Sequence, residues 1–158
     1  MSFTGREFRD ALGRFATGVC VITANPPGMK PFGMTVNSFA SVSLDPPLVL
    51  WSLQKNSECV PAFEKARQFT ANILGDHQKE VSNRYAKKGD HDLGEEEYRL
   101  GRSGCAVLKH ALASFECDIQ SRIDGGDHII LLGLVKEMVN SPTGKPLLFY
   151  TGQYRELK

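Results

Sequence analysis

The chain has 158 residues, 41% of them hydrophobic and 23% charged, with 19 Lys and Arg against 18 Asp and Glu for a net charge of +1. That length suits one domain, 1–158, able to bury most of its surface without a metal or a disulfide, and it is too short for a two-domain dehydrogenase. Near-neutral charge provides no strong global field, so neither nucleic acid nor an anionic membrane is an expected partner.

Thr4-Gly5-Arg6-Glu7 reads as a capping box, and Phe8, Leu12, Phe15 and Ala16 fall on one face of the helix it starts, which Gly18 ends. Val19 to Ala24 is a β-type run, followed by the turn-rich Asn25-Pro26-Pro27-Gly28. Phe32 to Leu44 is mixed in character and rich in Ser and Thr. Asp45-Pro46-Pro47 interrupts any ladder because proline lacks the N–H. Leu48 to Leu53 reads as a buried strand, and Asn56 or Ser57 caps a short helix, Glu58 to Ala66. Phe69 to Leu74 is another strand, and Asp76 starts a helix through about Lys87.

Lys88 to Gly104 is polar, with little periodicity, and reads as a surface excursion. Three strands close the chain: Ala113 to Arg122, His128 to Val139 and Leu147 to Tyr154. Six or seven strands with three peripheral helices make a mainly β fold. Strands and long helices do not alternate, which disfavours a doubly wound sheet and favours a closed antiparallel barrel with helical additions.

Cysteines at 20, 59, 105 and 117 form no C-x-x-C pair and no zinc-like spacing. Cys20 and Cys117 lie in apolar runs and read as reduced core residues. The N-terminus carries no signal-peptide apolar region, and the longest apolar stretch, Ile129 to Val135, is far short of a membrane span. A cytoplasmic protein without a resident metal is the expectation.

Four segments could carry chemistry. Gly33 to Ser43 concentrates short hydroxyl and amide side chains between two apolar strands. It reads either as an edge strand with exposed Ser and Thr or as the lining for a polar ring edge or a phosphate. Lys55-Asn56-Ser57, between a strand and a helix, is either a phosphate site or an ordinary cap. Gly125-Gly126-Asp127-His128 is a hairpin turn whose histidine either contacts a ligand or is structural. Asp90-His91-Asp92 is ligand-like in composition but sits in the most polar loop, which favours an ordinary surface reading. G-x-G-x-x-G, the P-loop, H-E-x-x-H and G-x-S-x-G are all absent, so any nucleotide is bound without the common fingerprints.

Taken together, several pieces resemble the short-chain flavin reductase family, whose members have the FMN-binding split β-barrel. The pieces are Phe15-Ala16-Thr17-Gly18-Val19, Gly33 to Phe39, Ser41 to Leu48, and Phe69 to Leu74 with Gln78. Gly126-Asp127-His128 with Leu132-Gly133, and Pro146 to Tyr150 with Gly152-Gln153-Tyr154, complete the set. The resemblance runs from about Phe8 to Tyr154. It implies reduction of FMN, or FAD, by NADH or NADPH, a homodimer, and supply of reduced flavin to a partner monooxygenase.

The resemblance also implies roles. Thr35, Val36, Asn37 and Ser38 line the flavin ring and ribityl chain, with Ser41 and Ser43 nearby. Ser52, Lys55, Asn56 and Ser57 hold the flavin tail, and Ser82 and Arg84 serve the phosphate. His128 lies at the nicotinamide site, where it orients the ring or carries a proton, and Tyr154 closes the pocket. The sequence departs from the family at its G-x-P stretch, which reads Gly104-Cys105-Ala106, and in the preceding loop, Gly89 to Glu95. Two other readings stay open: an FMN-binding electron-transfer or sensor module without NAD(P)H turnover, and a heme- or pyridoxal-related split barrel without flavin.

Overall fold

A computed structural model describes residues 1–158. Its centre is a seven-stranded antiparallel sheet in the order β3-β2-β6-β9-β10-β5-β4. The strands are β2 (Cys20–Ala24), β3 (Phe32–Val36), β4 (Ala40–Leu44), β5 (Pro47–Gln54), β6 (Gln68–Ile73), β9 (Ala113–Gly125) and β10 (His128–Asn140). A smaller sheet joins β1 (Thr17–Gly18) to the hairpin of β11 (Leu148–Tyr150) and β12 (Gln153–Arg155), and β7 (Tyr98–Leu100) pairs with β8 (Ala106–Leu108). Helices α1 (Gly5–Leu12), α2 (Val60–Lys65) and α3 (Lys79–Ala86) lie outside the sheets, and none is long and apolar enough to cross a membrane.

No ladder joins the edge strands β3 and β4, yet Phe32 and Val36 of β3 share one core with Val49, Trp51 and Leu53 of β5. The sheet must therefore curl until its two ends meet over the same apolar interior, which makes a split barrel. Trp51, Phe63 and Phe69 pack edge to face at the centre, with ring centroids 4.8–5.9 Å apart. Gly133 allows this packing: a Cβ there would stand 2.5 Å from Phe69 Cζ. A second core, built on Val19, Val21, Leu74 and Tyr85, lies under α3 and β8.

Several sequence expectations shift. The first helix stops at Leu12, capped by Gly13, and not at Gly18, because Thr151 N–H donates to the Gly13 carbonyl at 3.0 Å and draws the chain into β1. Its apolar face is not buried: Phe8, Leu12 and Phe15 are 52%, 58% and 78% exposed. Phe32 to Leu44 divides into β3 and β4, and Pro47 opens β5 opposite Leu44. There a strand end needs no N–H from proline. The helix expected from Glu58 starts at Val60.

The excursion 88–104 is more ordered than its polarity suggests. Glu97 accepts from Tyr85 Oη at 2.6 Å, Gly94 N–H at 2.8 Å and Arg84 Nη1 at 2.5 Å, which ties it to α3. The last strand is a hairpin, since Thr151 and Gly152, both at positive φ, form the two-residue turn between β11 and β12. All four cysteines are free and buried, and burial pushes the thiols of Cys20 and Cys117 up to about 12.

Candidate functional site

Where β3 leaves the sheet, the chain runs through Asn37, Ser38 and Phe39 before β4 begins. The backbone N–H groups of Asn37 and Ser38 donate to no protein acceptor, and Asn37 is exposed. Ser38 holds this crossing in place with one hydroxyl: Oγ accepts from Ser52 N–H at 2.9 Å and donates to the Ser52 carbonyl at 3.3 Å. The segment is thus clamped on its protein side while its donors stay open.

Helix α3 forms the opposite wall. Thr35 Oγ1 donates to the Ser82 carbonyl at 2.6 Å, which brings the helix against β3. Ser82 Oγ then pairs with Tyr154 Oη at 2.6 Å, drawing the β11–β12 hairpin over the same place. Phe149 braces the Tyr154 ring at 5.6 Å, and Lys79 Nζ lies 5.6 Å over its face. The cavity enclosed measures about 220 Å³ and is lined by Thr35, Val36, Asn37, Ser82 and Tyr154 together with Val19, Ala86 and Phe149. It adjoins a groove of about 850 Å³ between α1 and the β11–β12 hairpin, and the two share Asn37 and Phe149.

Five residues expected from sequence therefore meet in one cleft, from three separate stretches of chain: Thr35, Val36, Asn37, Ser82 and Tyr154. Ser38 lines the adjoining groove, next to Asn37, and Ser52 supports Ser38. Ser41 and Ser43 lie on the edge strand β4, opposite Val49 and Leu48, and line neither cavity.

Lys55, Asn56 and Ser57 occupy the loop after β5, beside the β9–β10 hairpin. Lys55 N–H donates to the Asp127 carbonyl at 2.9 Å, and its ammonium pairs with Asp124. Ser57 Oγ accepts from Cys59 N–H at 3.2 Å. Helix α2 begins only at Val60, so these residues precede the helix start and do not form it. His128 is paired with Gln54 in the ladder, and its Nδ1 lies 2.7 Å from Asp127 Oδ1. This hydrogen bond, with the charge of the ring, holds the Asp127 carboxyl below the usual carboxylate range. It also fixes the imidazole with Nε2 as its remaining free nitrogen.

Arg84 points elsewhere. Its guanidinium binds Glu97, Asp90 and the Asp92 carbonyl, and it lines a separate cavity of about 400 Å³ with Glu58 and His91. In that cavity His91 sits 2.8 Å from Glu58 and 2.9 Å from the Gly33 carbonyl, while Asp90 pairs with Arg84. Sequence reasoning missed Ala86 as a lining residue, and it missed Arg9 and Arg14 at the groove. Ala86 falls one turn after Ser82 on α3, a spacing that could have marked it.

An antiparallel split barrel with an open cleft at the β3–β4 crossing is the architecture this chain presents. The chain matches the model of the flavin reductase like domain over residues 12–158, and it belongs to that family. A Rhizobium meliloti protein named "Probable flavin reductase" is 45% identical over 139 residues, 88% of this chain and 45% of that protein. The Agrobacterium fabrum FMN reductase (NADH) SmoA is 44% identical over 149 residues, 94% of this chain and 84% of the relative. The Mycobacterium tuberculosis flavin-dependent monooxygenase reductase subunit HsaB is 38% identical over 151 residues, 94% of this chain and 80% of the relative. Among solved structures, the Streptomyces globisporus NADH:FAD oxidoreductase SgcE6, in complex with NAD and FAD fragments, superposes with a TM-score of 0.89 at 34% identity, covering 97% of this chain and 92% of that one.

Proposed function

We propose that this chain is a flavin reductase that oxidises NAD(P)H, NADH by preference, and reduces FMN or FAD. The observation that carries the reading is the pair of unpartnered backbone N–H groups at Asn37 and Ser38, set in a cleft with the Ser82–Tyr154 hydroxyl pair. Such donors suit the carbonyl edge of a flavin ring, which gains negative charge on reduction, and they act there as an oxyanion hole does. The family membership and the names of the relatives support the same reading.

When bound, the flavin and the nicotinamide supply the redox chemistry themselves, a two-electron transfer between stacked rings. The protein's part is placement. Val36 and Phe149 offer apolar faces to a ring, and Ser38, fixed on Ser52, sets the height of the donors. Lys55, Asn56 and Ser57, beside His128, stand ready for a flavin tail or a nicotinamide amide. Ser82, hydrogen-bonded to Tyr154, lines the cleft itself. Arg84 is engaged by two carboxylates, so a phosphate there would have to compete with Glu97 and Asp90.

The reading treats 1–158 as one flavin reductase-like domain acting in the cytoplasm, where four reduced cysteines persist. It includes a homodimer, supported by the exposed apolar side chains of Phe8, Leu12, Phe15, Val42 and Leu44, the last 96% exposed. Transfer of reduced flavin to a separate monooxygenase is supported by the name of the HsaB relative. The test is loss of nicotinamide absorbance on mixing the purified chain with NADH and FMN under air. Turnover that requires added flavin supports the reading, and no oxidation with FMN or FAD overturns it.

A further inference from the structure

The cavity of about 400 Å³ beside Arg84 holds a histidine that the cleft does not use. Both ring nitrogens of His91 face groups that can only accept. Nδ1 lies 2.9 Å from the Gly33 carbonyl and Nε2 lies 2.8 Å from Glu58 Oε1. A neutral imidazole carries one N–H and can serve one of these acceptors; the imidazolium carries two and serves both. The surrounding charges suit that cation. Gly89 N–H, against burial and with help from His91 and Lys88, holds the Glu58 carboxyl below the usual carboxylate range. Glu58 is therefore anionic wherever an imidazole titrates. Asp90 and Asp92 add two carboxylates to the cavity wall and Arg84 one guanidinium. The Cys59 thiol, pushed up to about 11 by burial, is uncharged.

The backbone around His91 is tied to the same place. Gly33 N–H donates to the His91 carbonyl at 2.8 Å and Leu93 N–H to the Pro31 carbonyl at 2.9 Å, with Phe32 and Asp92 bridged between them. Arg84 of α3 donates to the Asp92 carbonyl at 3.1 Å and pairs with Asp90. Segment 89–93 thus braces β3 against α3. These two elements are the walls of the cleft, Thr35 and Val36 on one and Ser82 and Ala86 on the other.

We propose that His91 is a proton-dependent latch: as an imidazolium it pins segment 89–93 between Gly33 and Glu58 and so holds the two cleft walls in register, and on losing its proton it releases the segment. His91 is a positioning residue and touches no ligand. The effect on flavin rests on the reductase reading; the latch itself does not. The sign follows from the donors. Deprotonation turns a lone pair toward an acceptor oxygen, so the latch is closed at lower pH and opens as pH rises through the titration of the ring.

The test is made on the full ¹⁵N-labelled chain between about pH 5.5 and about pH 8.5, the range in which imidazoles titrate. Imidazole ¹⁵N shifts report the protons of His91, and hydrogen exchange reports the Gly33 and Leu93 amides. Both ring nitrogens are expected to be protonated at the acid end. As the ring loses a proton, protection of both amides is expected to fall about tenfold, the worth of about one charge-assisted hydrogen bond. FMN affinity, read from flavin fluorescence, is expected to fall about threefold over the same range, following the latched fraction. In Glu58→Gln the amide can donate to the neutral ring, so protection and affinity are expected to stay flat with pH. In His91→Ala protection is expected to be low throughout. His128 also titrates, beside Asp127, and the Glu58→Gln comparison separates its effect from that of His91.

A His91 ring that is neutral at the acid end, or amide protection that ignores its deprotonation, would overturn the proposal. So would wild-type pH dependence in Glu58→Gln, or an FMN affinity that stays constant while the latch opens. Absence of FMN binding at every pH is a separate failure, that of the reductase reading, and the two NMR readouts still decide the latch.

Discussion

Two asparagines near β2 show opposite uses of polar chemistry. Asn72 on β6 is fully buried, and its amide is saturated. Nδ2 donates to the Val21 carbonyl at 2.9 Å and to Thr23 Oγ1 at 3.0 Å, while Oδ1 accepts from Leu108 N–H at 3.0 Å and Ser114 Oγ at 2.8 Å. Thr23 Oγ1 passes the network on to the Ala106 carbonyl at 2.5 Å. This one side chain joins β2, β6, β8 and β9. Asn37, just past β3, is exposed, and its backbone N–H has no protein partner.

The difference is one of cost. An unsatisfied polar group is expensive inside and inexpensive at a wet surface. The interior therefore spends its polar groups on structure, and the cleft leaves its own free for a ligand. Substitutions in the first region are expected to unfold the protein, and those in the second to weaken binding at constant stability.

The largest effect is expected for Asn72→Ala. It strands the Leu108 N–H and the Ser114 hydroxyl and removes a donor from Thr23 Oγ1, and a loss of about 3 kcal/mol is expected in urea unfolding. A loss under about 1 kcal/mol would mean that the hub is replaceable by water.

Gly133→Ala comes next. Its Cβ would lie 2.5 Å from Phe69 Cζ and 2.9 Å from Cys117 Cβ, so about 1–3 kcal/mol of overpacking is expected in the same assay.

Tyr85→Phe removes the hydroxyl on Glu97 and is expected to cost about 1 kcal/mol. Burial raises the Glu97 carboxyl, but the Tyr85 hydroxyl, Gly94 N–H and Arg84 outweigh it and hold it below its ordinary value of 4.5. A depressed folded-state value gives stability that is present above 4.5 and lost as pH falls through the folded value. The wild type should therefore lose stability in acid over that window, and Tyr85→Phe should lose less there. Parallel pH profiles for the two would break the assignment.

The smallest structural effect is expected in the cleft. Asn37→Ala should change stability by no more than about 0.5 kcal/mol. The variant keeps its backbone N–H, but Asn37 also lines the cleft, so truncating its side chain should weaken FMN binding several-fold, read from flavin fluorescence. A variant that is destabilised but binds normally would erase the contrast between the two regions.

The sequence made some of this legible. Short apolar runs bounded by turn residues located β2, β5, β6, β9 and β10, because strands in a buried barrel wall must carry them. The capping box at Thr4 held, with Glu7 N–H donating to Thr4 Oγ1 at 3.2 Å. The length of α1 was misread because Phe15 looks like a core residue in one dimension, yet it is exposed. Order in the excursion 88–104 was invisible because it depends on Glu97 meeting Tyr85 across the fold, not on local pattern. In the site, the Gly33–Phe39 motif led to Thr35, Val36 and Asn37. The pairing of Ser82 with Tyr154, 72 residues apart, and the diversion of Arg84 to Glu97 required three dimensions.

The most direct test is a titration of the ¹⁵N-labelled chain with FMN, followed by amide chemical shifts. The account predicts the largest changes at Asn37 and Ser38, smaller ones at Ser82 and Tyr154, and none at Asn72 or Leu108. Shifts centred on Arg84, Asp90 and His91, or no shifts at saturating FMN, would contradict it.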